Sequence, residues 1–130
     1  MGEFLVFLGE DARVRPGFLD SLLGLAAGGK ELGLVAPRGS RPQAIEEHCL
    51  LIPRGVFSAL GGFDRRFERA LWGWDFCFRA RQRGLELVTA EPTLVTRDVS
   101  ALNGDARPPA HDTGLLFGKW SGHPLFEAIR

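Results

Sequence analysis

Tyrosine is absent from this sequence, lysine occurs only at Lys30 and Lys119, and cysteine only at Cys49 and Cys77. Two cysteines do not make a disulfide framework. Both lie in apolar stretches that suit small core residues better than nucleophiles or ligands. No apolar run approaches the roughly 18 residues of a membrane span. Met1-Gly2-Glu3 lacks the basic start of a signal peptide, so a soluble, cytoplasmic domain with no membrane span is expected. The three histidines, His48, His111 and His123, are scattered without zinc-ligand spacing. No Gly-rich phosphate loop followed by Lys and Ser/Thr is present. An excess of either charge is also missing: 16 basic and 16 acidic side chains cancel, which argues against a nucleic-acid or anionic-membrane partner.

What is present fits one domain over residues 1–130, long enough to bury about two-thirds of its unfolded surface without disulfides or a structural metal. Fourteen of the 16 basic residues are Arg, whose forked guanidinium suits phosphate and carboxylate, although base composition is the plainer reading.

The unbroken apolar run Phe4–Leu8 predicts a strand covered on both faces. Pro16 tolerates a first helical turn, and Phe18, Leu19, Leu22, Leu23 and Ala26 recur at helical spacing until Gly28-Gly29. Further strands are predicted over Leu32–Ala36, His48–Ile52, Leu85–Thr89 and Thr93–Thr96, the last two flanking Pro92. A short helix fits Val56, Phe57 and Leu60, and a longer one runs from Leu71 to Arg83. In the longer helix Trp72, Phe76 and Ala80 share a stripe and Asp75–Arg79 form an i,i+4 pair. Residues 1–98 form the expected core, 99–113 a loop rich in Pro and Gly, and 114–130 a C-terminal helix and tail, with the helix over Leu115–Trp120. The order predicts an α/β class with a mixed sheet flanked by helices.

Two clusters carry candidate chemistry. Glu10-Asp11 follows the first strand, where α/β sheets place ligands and where hard oxygens suit Mg²⁺ or Mn²⁺ with a phosphate; wetting of a loop is the plainer reading. In Trp72-Gly73-Trp74-Asp75, the two indoles could wall a sugar or base with Asp75 as acid or base; core packing is the plainer reading.

Taken in order, these pieces resemble the second half of a family 2 glycosyltransferase domain, of the GT-A nucleotide-diphospho-sugar transferase type. The resemblance runs from Phe4 to about Asp98. It rests on Phe7-Leu8-Gly9-Glu10-Asp11 in place of a strand ending in Asp-x-Asp, on Arg15-Pro16-Gly17-Phe18-Leu19, and on the apolar Cys49–Pro53 strand. It continues with Gly61-Gly62-Phe63-Asp64, then Trp72–Arg79 in place of Glu-Asp-x-Asp-Leu-Cys-x-Arg, and ends with Pro92 to Asp98, where the family shows a metal-binding His. Three positions depart: Gly9 replaces the first acid, Trp72-Gly73 replace the Glu-Asp that holds the base, and Asp98 replaces the His.

The resemblance implies transfer of a sugar from a nucleotide-sugar donor to an acceptor hydroxyl, with Mg²⁺ or Mn²⁺. Glu10 and Asp11 would face the cofactor and donor, Asp11 and Asp98 would ligate the metal, Asp75 or Glu68 would act as base, and Trp72 and Trp74 would face the acceptor. It also implies that the nucleotide-binding half lies outside this stretch. The first strand would then expose an apolar edge, inviting a homo-oligomer or a separate partner chain. A non-catalytic binding or assembly module that keeps the scaffold is the alternative, and an unrelated α/β domain a third reading.

Overall fold

The computed structural model describes residues 2–28, 31–39, 45–91, 94–97 and 108–127. Its strands are β1 (Phe4–Leu8), β2 (Ala12–Val14), β3 (Leu32–Pro37), β4 (Cys49–Pro53), β5 (Glu86–Ala90) and β6 (Val95–Arg97). The helices are α1 (Phe18–Ala27), α2 (Arg54–Ala59), α3 (Trp72–Gln82), α4 (Ala110–Trp120) and α5 (Pro124–Glu127). The four-stranded sheet has the order β1-β4-β3-β5. In it β4 runs antiparallel to both neighbours while β3 and β5 are parallel, so β1, β3 and β5 share one direction. This is the mixed sheet expected of the α/β class. A second, two-stranded ribbon pairs β2 with β6, Arg13 opposite Thr96.

The expectation that Phe4–Leu8 is covered on both faces fails, because β1 is a half-exposed edge strand; that cause holds instead for the runs of β3 and β4. All six residues of β3 and the first four of β4 are buried, because helices cover the sheet on both faces. On one face Leu22 and Ala26 of α1 meet Val35, Cys49, Leu51 and, from the ribbon, Val95. On the other, Phe76 and Cys77 of α3 meet Leu34, Ala36, Leu50 and Ile52, with Phe57 and Phe63 packed against them. The approach of α3 is close: a Cβ on Gly33 would lie 3.0 Å from Ala80 Cβ. Beyond α3 lies a third cluster, where Phe78 and Phe67 pack on Leu116 and Trp120 of α4 and Phe126 of α5.

β1 is a sheet edge, paired only with β4, and its Val6 and Leu8 are exposed. The expected loop over 99–113 ends early, because α4 begins at Ala110 directly after Pro109, whose extended backbone (φ −57°, ψ 147°) starts the helix. Pro109 thus marks a helix entrance, a use of proline that composition alone does not separate from a loop. No helix among the described residues is long and apolar enough to cross a membrane.

Candidate functional site

The carboxyl ends of β1, β3 and β5 open on the same side of the sheet, and the polar side chains singled out above divide around that end. Asp11 lies just past β1. Its Oδ2 accepts a hydrogen bond from Arg97 Nε of β6 at 2.7 Å. Burial works to raise the Asp11 carboxyl, but the Arg97 bond and charge hold it below the usual carboxylate range. The backbone of Gly9 reaches His48 across the strand pair, Gly9 N–H donating to His48 O at 2.8 Å. A Cβ on Gly9 would stand 2.9 Å from Asp11 Oδ1 and 3.7 Å from His48 Cβ, so the missing side chain of residue 9 leaves a space bordered by both.

His48 itself is buried. Its Nε2 lies 2.8 Å from Val95 O, which can only accept, so Nε2 carries the proton. Nδ1 is the one buried side-chain atom among the described residues without a partner. Glu10 is exposed on the turn between β1 and β2. Asp98, the second expected metal ligand, and Pro92 lie outside the described residues.

Asp75 sits in the first turn of α3 and is fully buried. Its Oδ1 accepts from Trp120 Nε1 at 2.8 Å and lies 2.8 Å from Lys119 Nζ, while Oδ2 accepts from Arg79 Nε at 3.0 Å. Arg79 continues the tie, donating to Leu60 O and Gly62 O at 2.8 Å each. The carboxylate therefore fastens α4 and the Gly61-Gly62 turn to α3, and it presents no surface to a substrate. The expected Asp75–Arg79 pair is present, with two further partners from α4. Glu68 stands in solvent, with its Oε1 3.8 Å from His111 Nε2. The indoles are half-buried: Trp72 packs against Phe63 at 4.7 Å between centroids and Trp74 against Phe78 at 6.2 Å. Their packing is that of core residues at a rim.

Two carboxylates that sequence reasoning passed over shape the entrance to α3. Asp112, on the first turn of α4, accepts the N–H groups of Glu68, Arg69 and Ala70 at 2.8, 2.9 and 2.9 Å. Burial works to raise its carboxyl, yet these three bonds hold it below the usual range. Glu47, just before β4, accepts the N–H of Gly73 on Oε2 at 3.2 Å. Burial pushes the Glu47 carboxyl up to about 7, against the pull of the Gly73 and Leu71 N–H groups, with the charges of Asp112 and Glu46 adding to the rise. Between the two grips, Leu71 takes the left-handed conformation (φ 69°), the sole non-glycine residue described to do so. Such strain persists where surrounding bonds over-determine the backbone.

Gly73 makes room for Glu47. A Cβ there would lie 3.0 Å from Leu50 Cδ1, 3.2 Å from Glu47 Cγ and 3.3 Å from Glu47 Oε2. Gly73→Ala should therefore destabilise the protein by about 1–3 kcal/mol in a denaturant titration; unchanged stability would mean that this seat is slack. The only local signal for Glu47 is an acidic pair ahead of an apolar strand, and its partner is 26 residues away. Asp112 was hidden in the expected loop, and its nearest partner in sequence is 42 residues distant.

The thiols behave as expected of core residues, burial pushing Cys49 up to about 11 and Cys77 up to about 12. Among the described residues no three His, Cys, Asp or Glu side chains gather as a metal site. Asp11, with Oδ2 committed to Arg97, does not by itself fit a divalent cation. An apolar recess lined by Phe4, Leu32, Pro53, Val56 and Leu85 lies at the opposite end of the sheet from Asp11.

A mixed sheet between helices, with acidic and cationic groups past the ends of its parallel strands, defines an α/β layer domain with polar groups where such sheets place their ligands. Over 68 residues, 52% of the chain, the sequence is 32% identical to the O-antigen biosynthesis protein RfbC of Myxococcus xanthus. The matched stretch is 5% of the length of that protein. No family model matches the chain, and no solved structure does.

Proposed function

We propose that this domain is the acceptor-side portion of a nucleotide-sugar-dependent transferase of the family 2, GT-A kind, which moves a sugar to an acceptor hydroxyl. The observation that carries the reading is Asp11 at the carboxyl end of β1, paired with Arg97 and backed by His48. A guanidinium held by a carboxylate at this end of the sheet suits a diphosphate, the forked cation for phosphate oxygens. The similarity to an O-antigen biosynthesis protein supports the same reading. Mg²⁺ or Mn²⁺ remains part of the proposal through Asp11 and Asp98, and no step is drawn through it. The nucleotide-binding portion would come from further chain or a partner, joined along the open edge of β1.

One observation favours the second reading, a non-catalytic module: Asp75, the acid retained from the family motif, is locked by Arg79, Lys119 and Trp120. Calorimetric titration of the domain joined to its nucleotide-binding portion, with Mn²⁺ and uridine, guanosine and thymidine diphosphates, separates the two. The transferase reading expects metal-dependent binding that weakens at least about tenfold in Asp11→Ala, the loss of one ligand-bearing charge. Absence of binding to every nucleotide would favour the module.

A further inference from the structure

We propose that Glu47, seated in the space that Gly73 leaves open at the start of α3, is the general base that takes the proton from the acceptor hydroxyl. The inference rests on the transferase reading above and names the residue that the reading otherwise lacks.

Sugar transfer to a hydroxyl needs a carboxylate or imidazole that can hold a proton and reach the acceptor. Of the carboxylates around α3, Asp112 spends both oxygens on the N–H groups of Glu68, Arg69 and Ala70, Asp64 spends its own on Arg66 and Lys119, and two more are unsuited. Asp75 is fully buried, with both oxygens engaged by Arg79, Lys119 and Trp120. It also lies two residues from Gly73 on the helix, about 200° around the axis, so it faces α4 rather than the sheet. Glu68 projects into solvent, its side chain 66% exposed, where nothing holds it against a substrate.

Glu47 differs on both counts. It lies one residue from His48, which pairs with Gly9 two residues before Asp11, so it belongs to the same end of the sheet as Asp11. It is held in place rather than free: its Oε2 takes the Gly73 N–H, and Gly73's missing Cβ would have stood 3.3 Å from that oxygen. Trp72, beside Gly73, packs on the cluster that holds Leu50 and Phe76. The groups facing Glu47 are the Leu71 and Gly73 N–H groups of α3's entrance, the Asp112 charge from α4 and its neighbour Glu46. Together with burial they leave it half-protonated near neutrality, where a proton acceptor works best.

In the step, the acceptor O–H bond breaks and its proton goes to a Glu47 carboxylate oxygen. The freed oxygen pair forms the bond to the anomeric carbon. The bond from that carbon to the donor phosphate oxygen breaks, its electron pair leaving on the nucleoside diphosphate. Glu47 then returns the proton to solvent.

The test uses Glu47→Gln, whose side-chain oxygen can still accept the Gly73 N–H, with Asp75→Asn and Glu68→Gln as comparisons. Three quantities are measured, the first two on the domain joined to the chain or partner that supplies its nucleotide-binding portion: binding of a uridine-diphosphate-hexose panel by calorimetry, release of nucleoside diphosphate against pH, and the ¹³C titration of the Glu47 carboxyl. The proposal expects Glu47→Gln to bind donor as tightly as wild type, to release product about 100-fold more slowly, and to lose a rate increase that wild type shows through pH about 7. Retained rate and pH limb in Glu47→Gln, or a Glu47 carboxyl titrating at the ordinary glutamate value, would overturn it while leaving the transferase reading standing. Absence of donor binding and turnover in wild type would overturn both.

Discussion

Asp75→Ala should lower the free energy of unfolding by about 3–5 kcal/mol, read from the midpoint of a urea titration. The size follows from what the substitution strands. Arg79 and Lys119 would lose their shared anion, and the Trp120 N–H, in a buried side chain, would lose its acceptor. A charge removed from a buried pair leaves its partner uncompensated, which is why the loss far exceeds that of a surface pair. Asp75→Asn should fall between, because its amide oxygen can still accept from Trp120 while Arg79 loses its anion and Lys119 keeps only Asp64. A change below about 1 kcal/mol for the alanine variant would place Asp75 in the class of surface ion pairs and refute the anchoring role.

The second large effect belongs to Asp112. Its removal would orphan three consecutive N–H groups, of Glu68, Arg69 and Ala70, at the entrance to α3. Asp112→Ala should destabilise by about 2–3 kcal/mol, since hydrogen bonds to a charged group contribute more than neutral ones and three part-buried donors lose their acceptor together. Amide hydrogen exchange at residues 68–70 should quicken ahead of the sheet. The sign of the pH effect follows from the carboxyl being held low: its contribution is present above the ordinary carboxylate range and is lost as pH falls through its folded value. Asp112→Ala should therefore flatten the acid limb of stability. Unchanged exchange at residues 68–70 would sink this assignment.

What could be read from the sequence was what adjacent residues decide. The runs Phe4–Leu8, Leu32–Ala36 and His48–Ile52 announced β1, β3 and β4 to within a residue; β3 and β4 are buried on both faces and need no alternation, whereas β1 proved a half-exposed edge. The Trp72, Phe76 and Ala80 stripe announced α3 in the same way. Ala12–Val14 gave no such sign. Three residues show too little pattern, and β2 exists because β6 lies opposite it. Asp11 was legible as a residue just past an apolar strand. Glu47 and Asp112 were not, since each takes its role from N–H groups in a distant segment, and nothing in the residues around them marks that destination. Asp75 shows the converse: its motif context suggested chemistry, and Lys119 and Trp120, 44 and 45 residues on, made it an anchor.

The first turn of α4 and its last turn reach the same stretch of chain from two sides. Asp112 grips the residues that lead into α3, and Lys119 joins Asp64 to Asp75. A boundary drawn after residue 98 would look natural from the motifs, which end there. It would cut the domain from its own keystone. The C-terminal helix is thus no appendage: whatever lineage remodels or trims it also reshapes the rim on which Glu47 and Trp72 stand.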